Sequence, residues 1–234
     1  MHPTQLFIGE LRPLPQSGRP SGIFKTPVCA PVSIAETGFA GDQQADLRVH
    51  GGPEKAVHLY PADHYPRLAA AFPEVAAQLV PGSLGENISV AGLDEHAVRI
   101  GETFALGSAV LQLCQPRNPC WKIDERFGVD GMAALIAREQ LTGWYFRVCQ
   151  PGLADNGTPL RSLGAPPQAP TLYAAMHSWQ AHRPDPAQLE QLAATPGIAR
   201  HWQAKIEQRL AWLRAYPAAL PTPVASFHPR PATD

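Results

Sequence analysis

The octapeptide QPRNPCWK, residues 115–122, holds a thiol, two amides and two cations within eight positions. Cys120 follows Pro119, with Pro116 and Arg117 upstream and Lys122 two residues on. Proline fixes its own φ and restricts the residue before it, so this thiol is carried on stiff backbone. If Arg117 and Lys122 lie near it, they favour the thiolate, which is the form that acts as a nucleophile or ligates a soft metal. The same octapeptide also reads as a turn with a buried cysteine and two solvated charges.

Two further stretches bear on that choice. VHGGPEKAVHLY, residues 49–60, sets His50 before Gly51-Gly52-Pro53, with Lys55 and His58 following. Paired glycines let backbone approach a ligand closely, and Lys55 offers charge to a phosphate, although the bare motif also fits a tight turn. PGSLGENISVAGL, residues 81–93, has Gly82 and Gly85 to loosen the backbone, then Glu86 and Asn87 as an acceptor and an amide ahead of a strand. Three polar loops that border strands, and together hold one thiol and several cations, form a pattern suited to the wall of an anionic-cofactor site.

The elements that position these loops are short. With 26 prolines and 19 glycines in 234 residues, the chain is punctuated in a way that suits a β-rich domain with elaborate loops. Alternation and β-formers predict strands over residues 5–9, 21–28, 55–60, 97–105 and 109–115, with a hairpin turn at Gly107-Ser108. Helices are predicted over 62–72, with Pro61 at the start, and over 131–140, where Met132, Leu135 and Ile136 recur at helical spacing. SLGAPPQAP, residues 162–170, reads as a linker. Three helix-length pieces follow, and the last carries Ile198, Trp202, Ile206, Leu210 and Leu213 along one face. The expected organisation is one domain over 1–165, a three-helix unit over 171–216 and a proline-rich tail over 217–234.

Composition narrows function. A net charge of −1, from 19 basic and 20 acidic residues, gives no basic face for a nucleic-acid polymer. No window approaches the ~18 uninterrupted apolar residues of a membrane span, so a soluble cytoplasmic protein is expected. Cys29, Cys114, Cys120 and Cys149 include no C-x-x-C pair, which argues against a structural zinc site or a dithiol. Cys114 and Cys149 sit in strand-like runs and are expected to pack there. Strand alternation should turn one of Cys114 and Gln115 away from the site, leaving open whether Cys114 brings it a second thiol.

GFAGDQQAD (38–46), VHGGPEKAV (49–57), LGENISVAGL (84–93) and QPRNPCWK (115–122), taken in order and spacing, resemble the short stand-alone MOSC proteins, a family named for the C-terminal domain of molybdenum cofactor sulfurase. The resemblance covers nearly the whole chain, because one bacterial type carries a small three-helix domain after the barrel. It implies a mainly β fold: a MOSC-type β-barrel with a few helices, then the three-helix C-terminal domain. It also implies the molybdenum cofactor, a pterin dithiolene with a terminal phosphate, with Cys120 matching the family's molybdenum ligand and catalytic thiolate. Arg117, Lys55 and Lys122 are then candidates for the phosphate and pterin, with Asn87, Gln115 and His50 as hydrogen-bonding partners.

The implied activity is reduction of N-hydroxylated compounds, such as hydroxylaminopurine bases and amidoximes. No G-x-G-x-x-G fingerprint or iron–sulfur cysteine set is present, so a separate flavin-containing reductase is expected to supply electrons. Two other readings stay open: a cofactor carrier or sulfur-transfer protein with a persulfide on Cys120, and a non-catalytic interaction barrel. No attached pyridoxal-phosphate domain that would generate sulfane sulfur is expected, which favours the reductase.

Overall fold

Apolar residues at alternate positions of His2–Ile8 and Ala109–Pro116 make these segments the natural walls of a β-barrel, one face inward and one outward. The computed structural model of the chain describes residues 2–47 and 51–216. Its strands are β1 (His2–Ile8), β2 (Arg12–Pro13), β3 (Pro20–Ser21), β4 (Thr26–Pro27), β5 (Val32–Ala35), β6 (Gly38–Phe39), β7 (Val57–Pro61), β8 (Ile88–Val90), β9 (Thr103–Leu106), β10 (Ala109–Pro116), β11 (Trp144–Gln150), β12 (Gly152–Ala154) and β13 (Pro159–Gly164). The helices are α1 (His64–Ala71), α2 (Lys122–Phe127), α3 (Met132–Arg138), α4 (Leu172–Gln180), α5 (Pro186–Ala193) and α6 (Arg200–Ala215).

Seven strands close a barrel in the order β13-β9-β10-β11-β7-β8-β1, because β1 pairs with β13. Every neighbouring pair is antiparallel except β7 and β8, which run parallel and need the crossover through α1. β4 extends the β1 edge, while β12-β5-β6 and the β2–β3 hairpin lie outside the ring. Closure removes unpaired edges, which is how short proline-flanked strands remain stable.

β7 shows how the wall is sided. Val57 and Leu59 join the interior cluster, whereas Tyr60 belongs to a second cluster with Tyr65, Leu68, Ile123 and Ile136, contributed by the helices covering the outside. Period-two alternation therefore sends His58 and Tyr60 outward, away from the barrel interior. On β11, Trp144 and Phe146 point inward, so Tyr145 also faces out.

Several expected strands are shorter than their apolar runs. In 21–28 only Ser21 and the pair Thr26–Pro27 are in strands, because proline interrupts the ladder and Gly22 passes so close to Gln43 that a Cβ would strike its carbonyl. In 97–105 the strand starts only at Thr103: Gly101 takes φ +79 and its backbone presses on the Pro196 carbonyl, leaving no room for a side chain. The expected strand from Lys55 begins at Val57, since Pro53–Lys55 forms a 3-10 turn. The Gly107-Ser108 hairpin forms as expected, with Leu106 paired to Ala109.

The three C-terminal helices follow their caps. Thr171 Oγ1 accepts the Ala174 N–H at 3.1 Å, and Asp185 Oδ1 accepts that of Ala187 at 3.0 Å, ahead of Pro186 at the first helical position. Buried Arg209 on α6 donates to the Trp179, Ala181 and His182 carbonyls at the end of α4, satisfying groups that a helix terminus leaves open. Leu172, Met176, Leu189, Trp202, Ile206 and Leu210 join the same apolar cluster as the barrel interior. The expected tail, 217–234, lies outside the described residues.

Candidate functional site

On the outer face of the β7–β11 wall lies a cleft enclosing about 640 Å³ of empty space, part of it open to solvent. The segment 21–25, the loop 42–45, the 3-10 turn and the loop 84–87 border it, and the 117–122 segment completes it. Cys120 is 6% exposed and lines this cleft. Its carbonyl accepts the Ile123 N–H at 3.0 Å, so the thiol sits where the chain leaves β10 and enters α2.

Arg117 is held by its backbone, whose N–H donates to the Gly143 carbonyl at 3.1 Å, while its Nη2 donates to the Leu84 carbonyl at 3.3 Å. Its Nη1 is buried and has no partner among the described residues, and the same holds for His58 Nε2. Both residues line the cleft. A buried polar atom without a partner costs about 1–3 kcal/mol, more for a charged group, so two of them at one opening mark where a ligand's polar groups fit. Burial, followed by the Arg117 charge, pushes His58 well below the ordinary histidine range and keeps its imidazole neutral.

Charge points the same way. Lys25, Lys55, Arg117 and Lys122 line the cleft against one carboxylate, Asp42. Asp42 is engaged: it forms an ion pair with Lys25 whose side chains are 4% and 2% exposed, and it accepts the Gly9 N–H at 2.9 Å. Four cations lining the cleft against one carboxylate favour an anionic guest.

Asn87 and Gln115 serve the frame. Asn87 Oδ1 accepts the His58 N–H at 3.0 Å, and its Nδ2 donates to Asp42 Oδ2 at 2.9 Å and the Phe7 carbonyl at 3.3 Å. Asn87 lines the cleft with its amide committed to protein. Gln115 does not line it; its Nε2 donates to the Glu54 carbonyl at 2.9 Å and fixes the turn carrying Lys55. Glu86 turns inward, fully buried, and accepts from Tyr65 Oη at 2.5 Å, Gly82 N at 2.6 Å and Leu84 N at 3.2 Å, so it shapes the loop from behind. His50 lies outside the described residues.

The expected alternation at Cys114 and Gln115 fails because the β10–β11 register shifts between Leu113 and Gln115, a bulge that buries both side chains. The Cys114 thiol faces the Glu54 carbonyl at 3.1 Å and is pushed up to about 12, chiefly by burial. It is a neutral donor outside the cleft, not a second thiolate. Cys149, expected to pack on its strand, is exposed, as is Cys29. No cluster of three or more metal-ligating side chains occurs among the described residues, so a metal at Cys120 needs ligands that are not from the described protein residues.

Tyr145, Lys25 and Asp42 line the cleft beyond the residues singled out from the sequence. Asp42 stood in a quoted motif, and alternation from inward Trp144 gave a signal for Tyr145. Nothing local marked Lys25, whose partner is 17 residues away.

A MOSC-domain family model matches residues 46–161. The chain is 34% identical to protein YiiM of Escherichia coli (strain K12) over 209 residues, 89% of this chain and 92% of that one. It is 35% identical to a reductase of Gibberella moniliformis over 147 residues, but spans only 26% of that protein. The crystal structure of YiiM from Escherichia coli superposes with a TM-score of 0.76 at 27% identity, covering 90% of this chain and 92% of that one. YiiM from Geobacillus stearothermophilus gives 0.75 at 26% identity, covering 89% and 100%. With its closed seven-stranded barrel and this similarity along nearly its whole length, the chain belongs to the MOSC-domain family.

Proposed function

We propose that the cleft binds the molybdenum cofactor through Cys120 and that the protein reduces N-hydroxylated compounds. MOSC domains are associated with this cofactor. The observation that carries the reading is the pair of unpartnered buried atoms, Arg117 Nη1 and His58 Nε2, in the cation-lined cleft that holds the Cys120 thiol. One soft thiolate, cations for a phosphate and buried hydrogen-bonding groups for a pterin fit the parts of the cofactor.

The cofactor, when bound, supplies a redox metal able to accept an oxygen atom. The chain's own residues do the rest. Cys120 supplies the protein's thiolate to the metal. Arg117, Lys55 and Lys122 hold anionic oxygens, and neutral His58 offers a hydrogen bond at Nε2. Asn87 braces β7 at the His58 backbone, and Gln115 braces the 3-10 turn that carries Lys55. Reduction of R–NHOH to R–NH2 and water takes up two electrons and two protons, and the electrons come from a separate flavin-containing reductase.

Protein made in a cofactor-competent host is expected to hold stoichiometric molybdenum and to turn over an amidoxime or a hydroxylaminopurine with a chemically reduced donor. Loaded protein that reduced neither, yet passed its cofactor to an apo-enzyme, would replace the reductase with a carrier.

A further inference from the structure

Helix α6 begins without a cap of its own. α4 and α5 start on Thr171 and Asp185, whose side chains accept an N–H of the first turn, whereas α6 starts on Ala199 and has no acidic residue in its first turn. The barrel supplies the missing acceptor. Glu54 Oε1, 146 positions away in the chain, accepts the Arg200 N–H at 2.9 Å, and the Cys114 carbonyl accepts that of Ala199 at 2.9 Å. Arg147 closes the junction, with its Nη2 donating to Glu54 Oε1 at 2.9 Å and to the Ile198 carbonyl at 3.2 Å.

The backbone of Glu54 is held from the other side. Its carbonyl accepts Gln115 Nε2 at 2.9 Å and the Cys114 thiol at 3.1 Å, so β10 and α6 grip one residue between them. That residue is the middle of the 3-10 turn Pro53–Lys55, from which the chain runs into β7 and His58. Lys55 and His58 both line the cleft. We propose that Glu54 is a positioning residue for the cleft: by capping α6 it ties the C-terminal helices to the turn that presents Lys55, so helix docking and ligand retention are linked. The identity of the ligand rests on the cofactor reading; the tie itself does not. A loosened α6 frees the turn to leave its binding arrangement, and retention falls in proportion to the time spent away from it. Linkage also runs in reverse, because a ligand that fixes the turn fixes the acceptor of α6.

The test uses full-length wild type, Glu54→Ala and Glu54→Gln, with melting temperatures to verify folding. Glutamine keeps an oxygen able to accept both N–H groups, and alanine removes it. Amide hydrogen exchange is followed in cofactor-free protein over residues 52–58 and 199–203, and molybdenum is measured after dialysis of protein from a cofactor-competent host. In Glu54→Ala both segments should exchange several-fold faster together and molybdenum should fall several-fold, while Glu54→Gln restores most of each. Should Glu54→Ala fail to fold, Arg147→Met removes one of the two bonds to Glu54 Oε1 and should shift the same readouts in the same direction, less far. Faster exchange in 199–203 alone, or full molybdenum in a variant whose α6 has loosened, would overturn the tie. Wild type without molybdenum would sink the cofactor reading, and the paired exchange would then decide the tie by itself.

Discussion

Tyr145 and His58 are direct cross-strand partners of β11 and β7, with ring centroids 5.2 Å apart and planes tilted by 40°. Both rings line the cleft together with Arg117, and burial raises the Tyr145 phenol while it lowers the His58 imidazole. Both side chains are thereby held neutral, which leaves the cations as the charged lining that meets a ligand.

Cys120→Ser should retain some pterin after gentle purification and lose nearly all turnover, because a hard hydroxyl replaces a soft ligand. Cys29→Ala and Cys149→Ala should keep wild-type molybdenum, since both thiols are exposed and neither lines the cleft. Cys114→Ala should also keep it at a stability cost of about 1 kcal/mol for the small void. Molybdenum content measured beside turnover checks the set; molybdenum loss in Cys114→Ala as complete as in Cys120→Ser would refute the single-ligand assignment.

Arg117→Ala should weaken cofactor retention by roughly tenfold to a hundredfold, the range for a lost charge-assisted contact of about 1.5–3 kcal/mol. Whatever molybdenum remains should still turn over. Arg117→Lys should rescue poorly, because an ammonium cannot reach the Leu84 carbonyl and a ligand with a planar fork. Occupancy after dialysis reads this out.

His58 is neutral when folded, because burial and then the Arg117 charge hold its proton affinity well below that of an unfolded histidine. Below the unfolded value near 6.5 the unfolded chain binds the proton that the folded chain refuses, so stability present above that pH is lost as pH falls, by up to about 1.4 kcal/mol per unit. Urea melts at pH 7.5 and 5.0 should show a smaller acid loss for His58→Gln than for wild type. An equal loss would show that His58 is not the group responsible.

Asp42→Ala should leave the Lys25 ammonium buried without its partner and destabilise the fold by about 3–5 kcal/mol. The same change removes the acceptor for Gly9 N–H and Asn87 Nδ2, so cofactor retention should fall with it. Replacing both members, as Lys25→Met with Asp42→Leu, should recover part of the stability in a denaturant midpoint and none of the cofactor binding.

Gly101→Ala should cost more than about 1 kcal/mol, because it forces a side chain onto positive φ and into the Pro196 carbonyl where the helices dock. Thermal melting checks it. An unchanged midpoint would mean that this junction yields easily.

Much of the architecture was legible because it is local. The apolar alternation over 109–115 marked β10, three helix-length pieces after the proline-rich stretch marked α4, α5 and α6, and prolines at 116 and 119 marked the stiff approach to Cys120. Tertiary contacts decided what alternation could not. A register shift buried both Cys114 and Gln115, close packing against Gln43 and Pro196 ended the runs at Gly22 and Gly101, and Asn87 spent its amide on Asp42 and the His58 backbone. Likewise, Lys25 met Asp42 and Glu54 met the start of α6 only through chain closure, because a side chain's partner and its burial depend on residues distant in sequence. Residue types thus declared the chemistry around Cys120, while folding decided which groups face the cleft and which hold it in shape.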